Sequence, residues 1–291
     1  MKAKKSLGQN FLKSEMALKK IIEAGEIKPD DIILEIGPGK GALTKKLLEK
    51  LSKDSPCSGM VIAVEKDREL IEFLKTKFTK EIAGRKLILI EEDILQFEVK
   101  KIVLSFSNGL AGIGTPGTED LRKIPELFSY KIIANIPYNI TGAILKKFLT
   151  EKNQPERMIL MVQHEVARRI VGRGKNPSTP LKVKESILSI SVKAYGEPKM
   201  IMKVPARYFS PVPKVDSAVI AIRNISRGNF DEERFWEIVK TGFAHKRKKL
   251  SSNLKSLRGG GVASAPNSLT SLGNKRAEDL TLEDWFALAQ K

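Results

Sequence analysis

"DIILEIGPGKGALTKKLLEKL", Asp31 to Leu51, decides how the first part of this chain folds. The spacing predicts a strand over 31–37, where apolar side chains run almost without interruption. It predicts a helix over 41–51, where they recur every three or four residues. Between the two, Gly37, Gly39 and Gly41 let the backbone turn tightly and let a ligand come close to it. The turn is not the dinucleotide fingerprint G-x-G-x-x-G, because the third glycine arrives one residue early and no pyrophosphate cradle is evident.

Outward from this stretch the same alternation repeats. Strands are expected over 59–67, 86–94, 130–138 and 157–163, and helices over 68–78, 143–150 and 165–172. "PKMIMKVP" and "KVDSAVIAI" read as late strands joined by a Pro-rich loop. Strands alternating with helices define an α/β fold with a mostly parallel sheet covered on both faces. In such sheets ligands gather at the carboxyl ends of the strands. Beyond residue 224 the pattern turns helical, so two domains are expected, 1–224 and 225–291. "SFSNGLAGIGTPGTEDL" (105–121) reads as a mobile loop and "RGGGVASAPNS" (258–268) as a second flexible link.

Charge narrows the partners. The 52 Lys and Arg against 34 Asp and Glu leave a net charge of +18, a field suited to a polyanion. The single cysteine, Cys57, excludes an internal disulfide and points to a reducing compartment, and it is assigned no role. His164 and His245 are the two histidines, so neither a zinc site nor a Ser-His-Asp triad is expected. No apolar run approaches the roughly 20 residues of a membrane span, and "MKAKKSLGQNFL" lacks the apolar region of a signal peptide. A cytoplasmic location without membrane attachment is expected.

Two acids stand at the ends of the strands after the glycine turn. Glu65 closes "VIAVE" and Asp93 closes "LILIEED". An ionised carboxylate only accepts hydrogen bonds, which suits ribose hydroxyls at the first position and an adenine amino group at the second. Together with the glycine turn they describe an adenosine-bearing cofactor without phosphates. The fourth strand, "YKII", then runs into "ANIPYNIT", Ala134 to Thr141, which presents an amide, a proline and an aromatic ring side by side.

G-x-G-x-G, acid, acid and N-I-P-Y in this order resemble a class I S-adenosylmethionine-dependent methyltransferase, which implies a Rossmann-like, seven-stranded sheet. With "GQNFL" (8–12) and "FSPVPKVDSAV" added, the chain resembles the ribosomal RNA adenine N6-dimethyltransferase family from Gly8 to about Leu257. The resemblance implies S-adenosyl-L-methionine as cofactor, S-adenosyl-L-homocysteine as product and no metal. It places Asn10 and Leu12 over the methionine end, Gly37 against it, Glu65 on the ribose, Asp93 on the adenine, and Asn135 between cofactor and target, with Gly39 also binding the cofactor. The link to N-I-P-Y is typically shorter in that family, so the 105–121 stretch is either an insertion that alters substrate entry or inert disorder.

The chemistry of N-I-P-Y follows from the nucleophile. The lone pair of adenine N6 is delocalised into the ring. The side-chain oxygen of Asn135 can accept one N6 hydrogen, and by resemblance the carbonyl of Ile136, stiffened by Pro137, accepts the other. Two such acceptors favour a tetrahedral nitrogen as positive charge develops and hold it in line for attack. Tyr138 offers a face for the base, a contribution of roughly 1–3 kcal/mol, and Phe209 is the candidate for the opposite face. No strong general base is required, and Gln163 and His164 are read as packing or loop residues.

The target adenine must be single-stranded or flipped out, and the protein must grip phosphates. From Lys240 to Arg258 there are seven Lys and Arg and no acid. Phe235, Val239 and Phe243 recur every four residues, so a continuing helix would turn Lys246, Arg247, Lys248 and Lys249 outward as a salt-sensitive RNA contact. A merely solvated charged face is the plain alternative.

The reading is therefore a small-subunit (16S) rRNA dimethyltransferase. By resemblance it acts on two adjacent adenosines of the 3′-terminal hairpin during small-subunit assembly, as a monomer on the pre-30S particle. A large-subunit (23S) enzyme of the macrolide-resistance type shares "NIPYNI" and the cofactor motifs. A non-enzymatic rRNA-binding assembly or transcription factor and a dinucleotide oxidoreductase remain as readings from other classes.

Overall fold

The computed structural model describes residues 3–4, 7–52, 59–102, 128–172, 184–245, 247–255, 272 and 274–290. Cys57, the 105–121 stretch, the 258–268 link and Lys246 lie outside the described residues. Spatial proximity groups the chain into two units, Met1–Ala167 with Lys199–Ile225, and Arg168–Pro198 with Ser226–Lys291.

The first unit opens on a two-residue strand, β1 (Phe11–Leu12), and a helix, α1 (Glu15–Gly25). Five parallel strands follow, β2 (Ile32–Ile36), β3 (Met60–Glu65), β4 (Leu87–Glu91), β5 (Lys131–Asn135) and β6 (Arg157–Gln163), in the spatial order β4-β3-β2-β5-β6. β7 (Glu197–Val204) and β9 (Ser217–Arg223) complete a seven-stranded sheet in the order β4-β3-β2-β5-β6-β9-β7. β9 runs antiparallel to β6, with Met158 opposite Ile222 and Gln163 opposite Ser217. β8 (Phe209–Ser210) stands apart from that sheet and pairs antiparallel with β1.

The central strands explain the topology. Every residue of β3 is buried, as are the last four of β2 and the first four of β5. Strands buried on both faces need helices above and below, which parallel crossovers supply. α2 (Ala42–Ser52), α3 (Arg68–Lys77), α5 (Thr141–Thr150) and α6 (His164–Val171) lie near the expected bounds, while a short α4 (Thr79–Ala83) and α1, directly after the "GQNFL" motif, stand where no helix was expected. Ser14 caps α1 by accepting from the Ala17 N–H. Ile21 and Ile22 each disfavour the helix by less than about 1 kcal/mol. Burial of Leu18 and Ile21 beside Ile33 and Ile133 outweighs this at about 2 kcal/mol per side chain. A Cβ at Gly25 would lie 2.7 Å from Ile133 Cδ1, so only glycine fits there without repacking.

The second unit is helical: α7 (Ile187–Lys193), α8 (Glu232–Phe243), α9 (Leu250–Asn253) and α10 (Leu282–Ala289). The single cut expected at 224 lies one residue from the return to this unit, but Arg168–Pro198 also belongs to it. Tyr195 shows why. Its ring stacks on Trp236 at 6.4 Å, its hydroxyl accepts from the Trp236 indole N–H at 3.2 Å, and its carbonyl accepts from the Ser226 N–H at 2.9 Å. α8 buries Phe235, Val239 and Phe243 as their spacing requires, but it ends at Phe243. Asn253 terminates it by donating to the carbonyls of Gly242 at 2.6 Å and His245 at 3.1 Å. The helix therefore does not continue through the basic run. Arg247, Lys248 and Lys249 sit exposed in the turn before α9.

Candidate active site

The carboxyl ends of β2, β3, β4 and β5 converge on a cavity of about 410 Å³. Its wall includes Asn10, Leu12, Gly37, Gly39, Glu65, Asp93, Asn135, Ile136, Pro137 and Tyr138, all singled out from the sequence. The register explains the convergence. Ile36 pairs with Val64 and Glu65 with Glu91, so the ends of neighbouring strands lie level.

The glycine turn takes the left-handed backbone that its residues allow. Gly37, Gly39 and Gly41 have φ of +64°, +57° and +72°. At Gly41 a Cβ would stand 2.5 Å from Phe78 Cε2, so this position also needs glycine for packing. The turn points the Gly39 N–H at Glu65 Oε2, 3.2 Å away, while Glu65 Oε1 accepts from the Asp67 N–H at 3.0 Å. Burial pushes the Glu65 carboxyl up from its usual range, against the N–H groups of Asp67, Gly39 and Lys66 that favour the anion. Three N–H groups against four lone-pair positions leave acceptor capacity for a hydroxyl.

Asp93 is held differently. Its Oδ2 lies 2.8 Å from the Lys66 ammonium and its Oδ1 accepts from the Leu95 N–H at 3.0 Å. Lys66 foremost, then the Leu95 N–H, hold its carboxyl below the ordinary value, so it faces the cavity as an anion.

Asn135 ends β5. Its Nδ2 donates to the Asn10 carbonyl at 3.1 Å. That bond turns the side-chain oxygen into the free acceptor of the amide. Asn10 is steadied in turn, its own Nδ2 donating to the Gly8 carbonyl at 3.1 Å. Tyr138 opens a single helical turn, Tyr138–Ile140, and its hydroxyl shares a 2.7 Å hydrogen bond with Ser217 Oγ at the start of β9. Burial raises the Tyr138 pKa, so the ring stands as a neutral phenol.

One expected residue is placed elsewhere. Phe209 is fully buried in the apolar core and does not line the cavity. The pairing of β8 with β1 sets Phe209 opposite Leu12 and turns its ring into the core. It offers no face to a base in this structure. Gln163 and His164, at the junction of β6 and α6, do not line the cavity either.

Two residues of the site escape a reading of the sequence. Glu35, inside β2, is 1% exposed and lines the cavity, and its Oε2 meets no hydrogen-bond partner among the described residues. Burial, with some help from the charge of Glu65 and against the pull of Thr44, pushes its carboxyl up to about 8. An acid in an otherwise apolar strand was the available signal, since such a residue is rarely buried without a partner. Gln9 gives no such signal, because its partner, Asp67, is 58 residues away.

A glycine turn with its amides aimed at a strand-end acid, a second acid one strand over and an oriented amide on a third define a class I S-adenosylmethionine-dependent methyltransferase. The cavity fits that cofactor. Glu65 has acceptor capacity for a hydroxyl, Asp93 is an anion suited to an amino group, and the unpartnered Glu35 oxygen suits a ligand bearing N–H donors or positive charge. No group of three or more His, Cys, Asp or Glu among the described residues could hold a metal ion. The family model for ribosomal RNA adenine dimethylase matches residues 1–291, and the chain belongs to that family. It is 37% identical to ribosomal RNA small subunit methyltransferase A of Dehalococcoides mccartyi over 99% of this chain and 88% of the relative. The protein of that name from Thermosynechococcus vestitus is 36% identical, over 100% of this chain and 97% of its own length. Among solved structures, the 23S rRNA methyltransferase ErmE superposes with a TM-score of 0.66 at 25% identity, covering 96% of this chain and 98% of that one. A dimethyladenosine transferase from Plasmodium falciparum gives 0.68 at 24% identity, covering 96% and 95%.

Proposed function

We propose that this protein dimethylates the exocyclic N6 of two adjacent adenosines in the 3′-terminal hairpin of small-subunit rRNA, on the pre-30S particle during assembly. The observation that carries the reading is the orientation of the Asn135 carboxamide. With Nδ2 committed to the Asn10 carbonyl, Oδ1 is the group that meets an incoming amino group. The small-subunit assignment is supported by relatives of that name at 37% and 36% identity over nearly the whole chain.

The cofactor, when bound, supplies an electrophilic methyl group on a sulfonium. Everything else is the work of this chain's residues. Asn135 Oδ1 accepts one N6 hydrogen, and the Ile136 carbonyl, stiffened by Pro137, accepts the other, stabilising positive charge as it develops on nitrogen. Tyr138 supports the base on one face, and its phenol is fixed by Ser217 rather than left to rotate. Of the two aromatic rings proposed for the base, Tyr138 lines the cavity and Phe209 lies in the core. The product ammonium is acidic and loses its proton to water, so no histidine is called for. The second methyl transfer has one hydrogen left to accept, and either acceptor can take it.

Arg247, Lys248 and Lys249, with Lys246, serve as a phosphate contact in this reading, whose strength falls with salt. In this reading the protein works in the cytoplasm as a monomer. Among the described residues no helix is long and apolar enough to cross a membrane. Incubation of isolated small and large subunits with labelled cofactor, followed by mass mapping of the RNA, tests the assignment. Dimethyladenosine is expected in the small-subunit 3′ hairpin. Label confined to large-subunit RNA overturns the choice of target, and no calorimetric heat with millimolar cofactor overturns the enzymatic reading.

A further inference from the structure

The catalytic amide is oriented by a main-chain carbonyl of the N-terminal arm, so something must hold that arm in place. The arm carries no long element of its own, since β1 has two residues. Gln9 is held at both ends of its side chain. Its Oε1 accepts from the Lys4 N–H at 2.8 Å, and its Nε2 donates to Asp67 Oδ2 at 2.8 Å. Asp67 is 4% exposed and is bound on every side. Its Oδ1 caps α3 through the Glu69 N–H at 3.1 Å and meets the Lys4 ammonium at 2.7 Å, and its own N–H donates to Glu65 Oε1 at 3.0 Å. Lys4 also reaches Glu69 at 2.9 Å.

We propose that Gln9 and Asp67 are positioning residues that couple the ribose-binding acid to the catalytic amide. The path runs from the Glu65 carboxylate to the Asp67 N–H, from the Asp67 carboxylate to Gln9, and from the neighbouring Asn10 carbonyl to Asn135 Nδ2. Geometry of this kind matters because an error of about 1 Å at a reacting centre costs on the order of 100-fold in rate. The proposal rests on the methyl-transfer reading of the cavity, and neither residue need touch substrate.

Exchanging donor and acceptor tests it. Asp67→Asn keeps the cap on α3, since Asn caps a helix as well as Asp, and keeps the main-chain bond to Glu65. It sets a donor against Gln9 Nε2, and Gln9 cannot turn over without facing the Lys4 N–H with a second donor. Gln9→Glu sets two carboxylates together. In the double variant Gln9→Glu, Asp67→Asn the amide donates to the carboxylate and the bond returns. Each single change is expected to lower kcat about 10- to 100-fold while calorimetric affinity for S-adenosylmethionine stays near that of the parent, and the double variant is expected to recover the parent's rate. Gln9→Ala, which leaves α3 untouched, is expected to match the singles. An unchanged kcat in Asp67→Asn or Gln9→Ala overturns the coupling. So does an equal loss in cofactor affinity, or a double variant as slow as the product of the singles. Amide exchange over residues 7–12 needs no RNA. Faster exchange in Asp67→Asn than in the parent supports the clamp even if the parent methylates no small-subunit RNA, a result that would sink the functional reading alone. Unchanged exchange in that case overturns the clamp as well.

Discussion

The two ends of one sheet treat charge in opposite ways. At the amino end Lys131, 2% exposed, donates to Asp31 Oδ2 at 2.7 Å and to the Glu26 carbonyl at 2.8 Å. Arg157 donates to the Ala24 carbonyl at 3.0 Å and pairs with Glu26 Oε2 at 2.6 Å. The Arg157 guanidinium, foremost among several cations there, holds the Glu26 carboxyl below its ordinary value. Four residues along the same strand from Lys131, Asn135 faces the cavity. There Glu35 keeps an unpartnered oxygen, and burial raises both Glu35 and Glu65. Buried polar groups are normally satisfied. At the amino end the buried Lys131 is paired and holds the fold together, whereas at the cavity the unpartnered Glu35 oxygen leaves a place that a ligand can complete.

Breaking the paired end should cost stability and spare chemistry. Lys131→Met leaves Asp31 without its cation, and chemical denaturation should show a loss of about 3 kcal/mol. The folded fraction should keep the parent's kcat; a rate loss with unchanged stability would erase the distinction between the ends.

Breaking the open end should do the reverse. Asn135→Ala should lower methyl transfer about 100-fold or more, with RNA affinity and melting temperature nearly unchanged. A filter-binding assay beside single-turnover kinetics separates the two effects.

Glu35 sharpens the contrast through pH. Its folded pKa of about 8 lies above the ordinary 4.5, so the folded ligand-free protein binds more protons than the unfolded chain between those values. The contribution of Glu35 is intact below pH 4.5 and is lost as pH rises toward 8. The slope from this group is at most about 1.4 kcal/mol per pH unit. Glu35→Gln should flatten denaturation free energy against pH over that window and weaken cofactor binding. A parallel pair of curves would show that Glu35 finds a partner in solution.

The smallest effects belong to the basic turn of the helical unit. Replacing Lys246, Arg247, Lys248 and Lys249 with Ala should reduce the salt slope of RNA binding by about 1 for each phosphate that the turn no longer neutralises. The rate at saturating RNA should stay near the parent's. Binding and salt slope equal to the parent's would show that this turn is only a solvated surface.

Much of the open end is legible in the chain because strand ends and tight turns are local matters. Gly37, Gly39, Glu65, Asp93 and the N-I-P-Y run each announce themselves through their immediate neighbours, and all line the cavity. Phe209 does not, because its two-residue strand pairs with one nearly 200 positions earlier, and that pairing buries the ring. Spacing alone carries α8 on through the basic run, because the residue that stops it, Asn253, lies beyond the run and acts by folding back on it. Residues 168–198 read as part of the sheet domain because helical periodicity says which face is apolar but not which body it packs against.

The sequence by itself determined the alternation of strand and helix, the glycine turn, the acids after it and the residue types at the fourth strand's end, since side-chain period and backbone preference act over a few residues. Only the tertiary structure decided which of those groups would be paired. The carbonyl that turns the Asn135 amide lies 125 residues before it, and the acid that holds Gln9 lies 58 residues after it. Such partners meet through sheet register and helix packing, which no local window of the chain contains.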